Sequence, residues 1–307
     1  MQLETAQLLL PDKKLSCVSI GNDKLIIEYL SRKRGGSNSK KVVIPRNLEL
    51  SDELVTAIGL YYAEGNSSSF RRLSNISNIE PTLIKAAMTL FKELGITNEQ
   101  LKARVKVYNK RLSDKKLIKF WSQKTGIPEQ NFIRTSVTES KKTYTRNRPR
   151  PPLFGQLEIY FSSVIVKDII DNLIEKVKVL SITDPGIRRA FLRALAAGEG
   201  SVIVLGGKLK EMRIASCDVI EQEFIRNLLR LEGIEPARAR YKFYVAISGF
   251  NNFKRAAGIR LFDLHPKKSL SFWSGLRKLA VSSGLSERHN RSLNTSLLFA
   301  HTARQAI

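Results

Sequence analysis

The chain has 307 residues, 42% of them hydrophobic, which is enough for two domains that each bury a core. It carries 52 Lys and Arg against 28 Asp and Glu, a formal charge of +24, and this balance predicts a polyanionic partner. No apolar run approaches the ~20 residues of a membrane-spanning helix, and no signal-peptide pattern opens the chain. Two cysteines and three histidines lack the spacing of a disulfide framework or a zinc site. We therefore expect a cytoplasmic protein with no membrane partner.

The positive charge is concentrated in parts of the chain. Residues 102–150 hold fifteen Lys and Arg and three acidic residues, half of the net charge, and residues 31–46 add six basic residues and no acid. We treat residues 1–50 as a basic N-terminal extension and residues 281–307 as a tail without an assigned role. An anionic membrane surface would also suit this charge, but no basic amphipathic helix or lipidation signal favours it.

The first predicted element after the extension is a helix, and part of it occurs twice in the chain. Ser51 is a favourable N-cap and two acidic residues follow it, so the helix begins directly after it. It contains the sequence AIGLYYAEG, residues 57–65. A similar sequence, LRALAAGEG, occupies residues 192–200, in a helix whose start is marked by Asp184 and Pro185.

Small residues recur four positions apart in both helices, and their positions align between the copies. They are Gly59 and Ala63 in the first helix and Ala194 and Gly198 in the second. A stripe without side-chain bulk lets two helix axes approach to about 8–10 Å or less. We therefore predict that the two helices pack against each other as a pseudo-two-fold pair.

Each of these helices ends in Glu followed by Gly, at Glu64-Gly65 and at Glu199-Gly200. The glycines suit the left-handed position after a helix, whereas a glutamate is unfavourable beside the negative end of the helix dipole. For one helix alone, an exposed glutamate that ends an ordinary helix is the simpler interpretation. For two paired helices, the duplicated carboxylates predict bound divalent cations, with nearby backbone carbonyls as further oxygen ligands.

The rest of the first copy contains two further helices and one clear strand. Apolar spacing predicts helices over residues 80–96 and 113–127. Residues 103–108 alternate as a strand, with a basic and aromatic row opposite an apolar face. Such a row is usually a solvated face, but its repetition in both copies favours nucleic-acid binding. The candidate binding residues are Lys102, Arg104, Lys106 and Tyr108 in this row, and Arg71 and Arg72 before it.

A basic segment, residues 128–155, then interrupts the first copy. It includes KKTYTRNRPRPP, whose Pro and Arg content is typical of an arm along a nucleic-acid backbone or of a disordered linker. Both interpretations stay open.

The second copy repeats the order of the first. Gly206 and Gly207 predict a tight turn between two strands, and residues 218–234 and 248–259 predict helices. A strand from residue 239 is expected to point Tyr241, Phe243, Val245 and Ile247 towards the core. The candidate binding residues are Lys208, Lys210 and Arg213 on the hairpin, and Arg238, Arg240, Lys242 and Tyr244 on the later strand. Helices on one side of an antiparallel sheet in each copy indicate an α+β fold.

The duplicated motifs AIGLYYAEG and FLRALAAGEG resemble those of monomeric, two-motif LAGLIDADG homing endonucleases, and the repeat covers most of residues 51–280. The resemblance implies two pseudo-symmetric αββαββα repeats, residues 51–180 and 181–280, packed through paired motif helices. It also implies that the antiparallel sheets form a saddle on double-stranded DNA, and that a monomer acts alone. The expected activity is site-specific hydrolysis of both strands at a long, asymmetric site.

The resemblance also implies a set of site residues. Glu64 and Glu199 would bind Mg²⁺ or Mn²⁺, with the carbonyls of Ala63 and Gly198 completing the coordination. Metal-activated water would then hydrolyse the phosphodiester. Both motifs carry Glu where the family more often has Asp.

A basic residue before the last helix of each repeat is a further feature of the family. Lys267 and Lys268 precede a helix expected over residues 269–278, and one of them would stabilise charge or organise solvent. Alternatively, both simply contact phosphate. The first copy offers no clear equivalent near residues 160–163.

Three other functions remain open at this point. A DNA-binding regulator on the same fold that does not cut is the main alternative, although retention of both glutamates favours the enzyme. An RNA maturase that assists splicing would share the fold and the charge. An unrelated α+β interaction protein would leave the paired Glu-Gly ends and the paired basic strands unexplained.

Overall fold

The computed structural model describes residues 1–9, 15–33, 36–65, 74–107, 111–137, 152–238 and 241–282. The chain divides into two compact units, Met1–Gly198 and Glu199–Ile307. Helices and small sheets occur together in each, which confirms the predicted α+β class. Among the described residues, no helix combines the length and the apolar character that crossing a bilayer requires.

The described residues among the first 50 form mainly β-structure with one short 3-10 helix, Thr5–Leu8, although the sequence analysis assigned no elements to them. Their strands are β1 (Gln2–Glu4), β2 (Leu15–Ile20), β3 (Lys24–Lys33), β4 (Gly36–Pro45) and β5 (Asn47–Glu49). β1 pairs with β5, and the other three form an antiparallel sheet in the order β2-β3-β4. Leu25 and Ile27 of β3 and Val42 and Ile44 of β4 are buried, whereas Val43 between the latter two is 42% exposed.

Among its described residues, the remainder of the first unit contains a four-stranded sheet and five α-helices. The elements are α1 (Asp52–Glu64), β6 (Ser74–Asn78), α2 (Pro81–Glu93), β7 (Lys102–Val107), α3 (Asp114–Thr125), β8 (Phe132–Val137), β9 (Gln156–Phe161), α4 (Val164–Thr183) and α5 (Pro185–Glu199). The last residue of α5 begins the second unit.

The sheet of the first unit has the strand order β6-β9-β7-β8. β9 pairs antiparallel with both β6 and β7, but β7 and β8 are parallel. This departs from the all-antiparallel sheet that we predicted, because α3 lies between β7 and β8 and carries the chain back to the same end of the sheet. β8 also occupies the start of the basic segment that we expected to be an arm or linker. Residues 138–151 of that segment lie outside the described residues.

The motif helices begin as the sequence predicts. The Ser51 hydroxyl accepts the backbone N–H of Leu54 at 3.2 Å and so caps α1. The Asp184 carboxylate accepts the backbone N–H groups of Gly186 at 2.8 Å and Ile187 at 3.1 Å and so caps α5. Both helices are therefore fixed at their N-termini by local hydrogen bonds.

The second unit contains a three-stranded antiparallel sheet and three complete helices among its described residues. The elements are β10 (Gly200–Leu205), β11 (Lys208–Ala215), α6 (Val219–Leu231), β12 (Tyr244–Ile247), α7 (Phe250–Gly258) and α8 (Pro266–Ser282). Gly206 and Gly207 form the predicted tight turn, with φ values of 56° and 78° that suit glycine. α8 covers the sheet closely, since a β-carbon added at Gly275 would lie 3.0 Å from the backbone nitrogen of Leu209.

β12 begins at Tyr244, five residues later than the sequence analysis predicted. Val245 and Ile247 are buried as expected, but Tyr241 is 36% exposed and Phe243 is 55% exposed. An isolated antiparallel bridge joins Tyr241 to Tyr244, so the chain turns back on itself there. The two-residue alternation therefore does not continue through the turn, and the prediction that Tyr241 and Phe243 face the core was wrong.

Candidate functional site

The two motif helices are in close contact through their small residues. A β-carbon added at Gly59 would lie 2.6 Å from the β-carbon of Ala194, and one added at Gly198 would lie 2.7 Å from that of Ala63. These distances leave no room for a side chain at either glycine. The predicted packing of α1 against α5 through an aligned small-residue stripe is therefore confirmed.

Contacts on either side of this stripe strengthen the helix pair. The rings of Tyr62 and Phe191 lie 5.8 Å apart between centroids. Arg193 of α5 forms an ion pair with Asp52 in the first turn of α1, with 2.5 Å between the charged atoms. The helices are thus held by aromatic and ionic contacts in addition to the backbone approach.

The glutamate ends of the two helices lie in different surroundings. Glu64 is half-buried at the end of α1, and a β-carbon at Gly198 would lie 3.3 Å from its Cγ. Glu199 ends α5 and remains more exposed. Although solvent reaches the Glu199 side chain, burial raises its pKa above the ordinary value, and the positive charge of Lys268 partly offsets this rise.

The glycine after each motif glutamate is not in the left-handed conformation that we predicted. Gly65 has a φ of −82°, and Gly200 is the first residue of strand β10. Gly65 is needed for a different reason: a β-carbon there would lie 2.2 Å from the carbonyl oxygen of Tyr61. After both α1 and α5 the chain continues directly in an extended conformation. Close backbone approach, rather than a turn, therefore selects glycine at residue 65.

Lys267 and Lys268 lie inside the first turn of α8, not ahead of it as predicted. Lys268 acts electrostatically on Glu199, whereas Lys267 is exposed. The structure thus brings one of the two predicted lysines to a motif glutamate within the second unit.

His265 precedes α8 and was not predicted as a site residue. Burial, together with the charges of Lys268 and Lys267, lowers its pKa to about 4. Its Nδ1 atom is buried and has no hydrogen-bond partner among the described residues. His265 is therefore uncharged at neutral pH, and it adds no positive charge beside Lys267 and Lys268.

The first unit also contains a basic residue near the start of α4, which the sequence analysis did not identify. Lys167 lies in the first turns of α4, is only 7% exposed, and pairs with Asp171 at 2.5 Å. The charge of Asp171 contributes to a raised pKa of about 12 at Tyr61 of α1, for which burial is the main cause. The only sequence signal for Lys167 was its helical spacing from Asp171.

The donor set at the helix ends fits a hard divalent cation. Each end offers a carboxylate, at Glu64 or Glu199, and a backbone carbonyl one residue earlier, at Ala63 or Gly198. Within the part of the chain that the structure describes, no three His, Cys, Asp or Glu side chains gather into a metal-binding group. Mg²⁺ requires only one or two carboxylates because it retains several waters.

The predicted basic row of the first sheet lies where the sequence analysis placed it. Ala103, Val105 and Val107 are buried, and Lys102 on the opposite face is exposed. Arg104 and Lys106, on the same face as Lys102, are only partly exposed. The face is therefore basic, but its members differ in their surroundings.

Glu158 of β9 explains this difference. Its carboxylate is 6% exposed, pairs with Lys106 at 2.8 Å, and accepts a hydrogen bond from Nε of Arg104 at 3.0 Å. Asn75 of β6 donates to the same carboxylate at 2.9 Å. Burial alone would raise the pKa of Glu158, but these hydrogen bonds and the Lys106 charge together lower it to about 2.

Glu158 thus neutralises part of a row whose own strand, KARVKV, contains no acidic residue. The sequence signal was present but weak. Glu158 is the one charged residue in the strand QLEIYF, and such a residue requires a partner when it is buried.

The second sheet presents its basic residues differently. Lys208 and Lys210 are exposed on β11, Arg238 and Lys242 are exposed before β12, and Arg213 and Tyr244 are half-buried. Arg213 forms an ion pair with Glu211 and lies 4.4 Å from the centroid of the Tyr244 ring. The four remaining candidate residues, Arg71, Arg72, Tyr108 and Arg240, lie outside the described residues.

Comparisons with known proteins give structural likenesses at low similarity. No protein-family model matches the chain. No curated protein sequence matches it. The N-terminal LAGLIDADG domain of DUF199/WhiA is 12% identical over 68% of this chain and 83% of its own length, with a TM-score of 0.37. Full-length DUF199/WhiA from Thermatoga maritima is 13% identical over 84% of this chain and 69% of its own, with a TM-score of 0.42.

A third similar structure is I-DmoI, a homing endonuclease, solved in complex with DNA and Ca. It is 14% identical over 71% of this chain and 96% of its own, with a TM-score of 0.42. At these values the likenesses assign no activity to the chain.

Proposed function

We propose that this protein is a divalent-metal-dependent endonuclease that cuts double-stranded DNA at a specific site. The observation that carries the proposal is the helix pair: α1 and α5 touch through Gly59, Ala63, Ala194 and Gly198, and each ends in a glutamate. An unfavourable carboxylate at the end of a single helix requires no functional explanation. Its duplication on two helices in contact is best explained by a function that requires both.

Glu64 and Glu199 are the proposed metal ligands, with the carbonyl oxygens of Ala63 and Gly198 as additional donors. The ions that suit these oxygens are Mg²⁺ and Mn²⁺. When bound, such an ion makes water nucleophilic near neutral pH and stabilises the oxygen that leaves the phosphorus. One copy of the chain carries both motifs, so we expect a monomer to be active.

Lys268 has a separate part in the proposed reaction. Its charge favours the ionised form of Glu199, which is the form that binds a cation. It also supplies a positive group that can attract a DNA phosphate towards this carboxylate. Lys267, which is exposed, serves as a phosphate contact.

The outer faces of the two sheets are the proposed DNA-binding surfaces. Lys102 in the first unit and Lys208 and Lys210 in the second are exposed and make no ion pair with another described residue, which suits them to phosphate contacts. Arg104 and Lys106, held by Glu158, are better suited to fixed contacts than to diffuse attraction. The proposed surface is completed by Arg213, Arg238, Lys242 and Tyr244, and by Arg71, Arg72, Tyr108 and Arg240, which lie outside the described residues.

A selection from a long random duplex library, run in parallel with Mg²⁺ and with Ca²⁺, tests this proposal. We expect cleavage in Mg²⁺ at one long, poorly symmetric sequence, and binding without cleavage in Ca²⁺. Enrichment of bound but intact duplex in both ions would replace the nuclease with a non-cleaving DNA-binding protein. Failure to enrich any duplex, with binding to structured RNA instead, would support the RNA maturase.

A further inference from the structure

Residues 241–244 form a rigid turn at the edge of the second unit's sheet. The backbone bridge between Tyr241 and Tyr244 closes the turn. The N–H of Ser216 donates to the carbonyl of Phe243 at 3.0 Å, and the side-chain amide of Gln222 donates to the carbonyl of Lys242 at 3.3 Å. The turn is thus attached to β11, α6 and β12, and its side chains are presented from a fixed backbone.

Two aromatic rings of this turn are already stacked. The rings of Tyr241 and Tyr244 are nearly parallel, at an angle of 15°, with centroids 4.7 Å apart. The guanidinium carbon of Arg213 lies 4.4 Å from the Tyr244 centroid, and the Glu211 carboxylate holds the guanidinium in place. We call the group Arg213, Tyr244 and Tyr241 the aromatic stack.

Tyr241 of the aromatic stack and its neighbour Phe243 contribute little to the core. Tyr241 is 36% exposed and Phe243 is 55% exposed, whereas the adjacent Val245 and Ile247 are fully buried. Lys242 lies between Tyr241 and Phe243 in the sequence, and its ammonium is 5.2 Å from the centroid of the Phe243 ring. Single exposed aromatic residues are common on protein surfaces, but a pre-stacked pair backed by a guanidinium is a defined flat surface in a cationic setting.

We propose that the aromatic stack binds one unpaired nucleobase, which stacks on the exposed ring of Tyr241. The proposal rests on the proposed function in one respect, that the partner is a nucleic acid. The surrounding cations attract the backbone phosphates, and the ring offers the π-face on which any base can stack. Because both faces of each base in a duplex are already covered, this surface selects a base that has left the helix, at a bulge, a distorted step or a single-stranded end.

Stacking and simple charge attraction predict different consequences of substitution. Loss of one base-stacking partner typically weakens binding about 5- to 100-fold, and only for nucleic acid in which a base is free to stack. Loss of one phosphate contact weakens binding to paired and unpaired nucleic acid alike. The variants Tyr241→Ala and Lys242→Ala therefore distinguish stacking from charge attraction, because the first removes a ring and the second removes a charge.

The experiment uses two DNA duplexes of the same sequence, one fully paired and one with a single bulged 2-aminopurine. Binding affinity and 2-aminopurine fluorescence are measured for the full-length protein, Tyr241→Ala, Tyr241→Phe and Lys242→Ala. We expect Tyr241→Ala to lose about 5- to 100-fold on the bulged duplex alone, and to lose the quenching of 2-aminopurine. Tyr241→Phe keeps the ring and should retain both, and Lys242→Ala should weaken both duplexes equally. The fluorescence of the buried Trp273 in the same unit reports that each variant is folded.

Equal losses by Tyr241→Ala on the two duplexes, or no loss on either, would overturn the aromatic stack as a base site. A loss by Tyr241→Phe as large as that of Tyr241→Ala would also overturn it, because the hydroxyl rather than the ring would be responsible. Failure of the proposed function looks different. In that case the full-length protein does not bind the paired duplex, while the bulged base still binds and is quenched through Tyr241.

Discussion

The outer faces of the two sheets carry similar charges but hold them in different ways. In the first unit, Arg104 and Lys106 converge on the buried carboxylate of Glu158. In the second, Arg213 pairs with the more accessible Glu211 and lies over the ring of Tyr244. The first face is therefore organised by a buried ionic group, and the second by aromatic stacking at the surface.

This difference shows that a row of basic residues in a sequence is not equivalent to free positive charge. A strand pattern gives the face on which a side chain lies, but not the partner that lies beside it on the next strand. Lys102, Lys208 and Lys210 are exposed on these faces, while Arg104 and Lys106 are partly neutralised by Glu158. The two faces should consequently respond differently to loss of an acidic residue, to acid and to salt.

Removal of the acidic residue on each face, Glu158 or Glu211, should show the largest difference between the two sheets. Glu158→Ala leaves Arg104, Lys106 and the Asn75 amide without their acceptor, so we expect the free energy of unfolding to fall by about 3 kcal/mol. Glu211→Ala is the matched control and should cost less than about 1 kcal/mol, because its ion pair is more open to solvent. Urea unfolding followed by the fluorescence of Trp121, buried in the first unit, measures the first effect, and Trp273 measures the second. Similar losses in both variants would contradict the distinction between the faces.

The helix pair α1–α5 should be nearly as sensitive as Glu158. Gly59→Ala places a methyl group 2.6 Å from Ala194 Cβ, and we expect the free energy of unfolding to fall by about 1–3 kcal/mol. Gly258→Ala, at the end of α7, is the control, since a β-carbon there meets no atom within 4 Å. It should be neutral or stabilise by up to about 1 kcal/mol. If the two variants had equal thermal stability, the close approach of α1 and α5 would be wrong.

Acid should destabilise the two units in different pH ranges. The pKa of Glu158 is lowered from 4.5 to about 2, so the unfolded state binds the proton more tightly, and the stabilisation is lost as pH falls through that interval. The pKa of His265 is lowered from 6.5 to about 4, so its contribution is complete above pH 6.5 and is lost between 6.5 and 4.

As pH falls, the free energy of unfolding reported by Trp273 should therefore begin to decrease at a higher pH than that reported by Trp121. Single-tryptophan variants, Trp121→Phe and Trp273→Phe, make the two measurements independent. His265→Gln should remove the decline of the second unit between pH 6.5 and 4 and leave the first unit unchanged. An unaltered decline in His265→Gln would exclude His265 as its cause.

The smallest expected effect concerns the salt dependence of DNA binding. Lys102 is exposed and makes no ion pair among the described residues, so Lys102→Ala should reduce the slope of log K against log salt by about 0.9, the share of one phosphate. Lys106→Ala should change this slope less, because Glu158 already neutralises part of its charge. Equal changes would show that Lys106 is released from Glu158 when DNA binds.

The parts of the fold that were predicted from sequence depend on local interactions. The caps at Ser51 and Asp184, the alternation in β7 and the glycine turn at residues 206–207 all arise within a few residues of one another. The small-residue stripe is an exception, since it concerns distant segments. It was recognised because the same pattern occurs twice.

The parts that were not predicted depend on neighbours that are remote in sequence. Glu158 lies 54 residues from Arg104, and the parallel pairing of β7 with β8 depends on the path of α3. The early end of the alternation at Tyr241 depends on a turn held by Ser216 and Gln222. Each of these is decided by strand register and by tertiary contacts, which periodicity alone does not reveal.

Cleavage by glutamate variants tests the central claim most directly. The substrate is the duplex selected from the random library, and the rate is measured in Mg²⁺ for Glu64→Gln and Glu199→Gln. Glu93→Gln and Glu232→Gln are the controls, because these glutamates also lie at the ends of helices, α2 and α6. The account predicts that each motif variant loses double-strand cleavage while it still binds the duplex, and that both controls cut normally. Unchanged cleavage by both motif variants would contradict it.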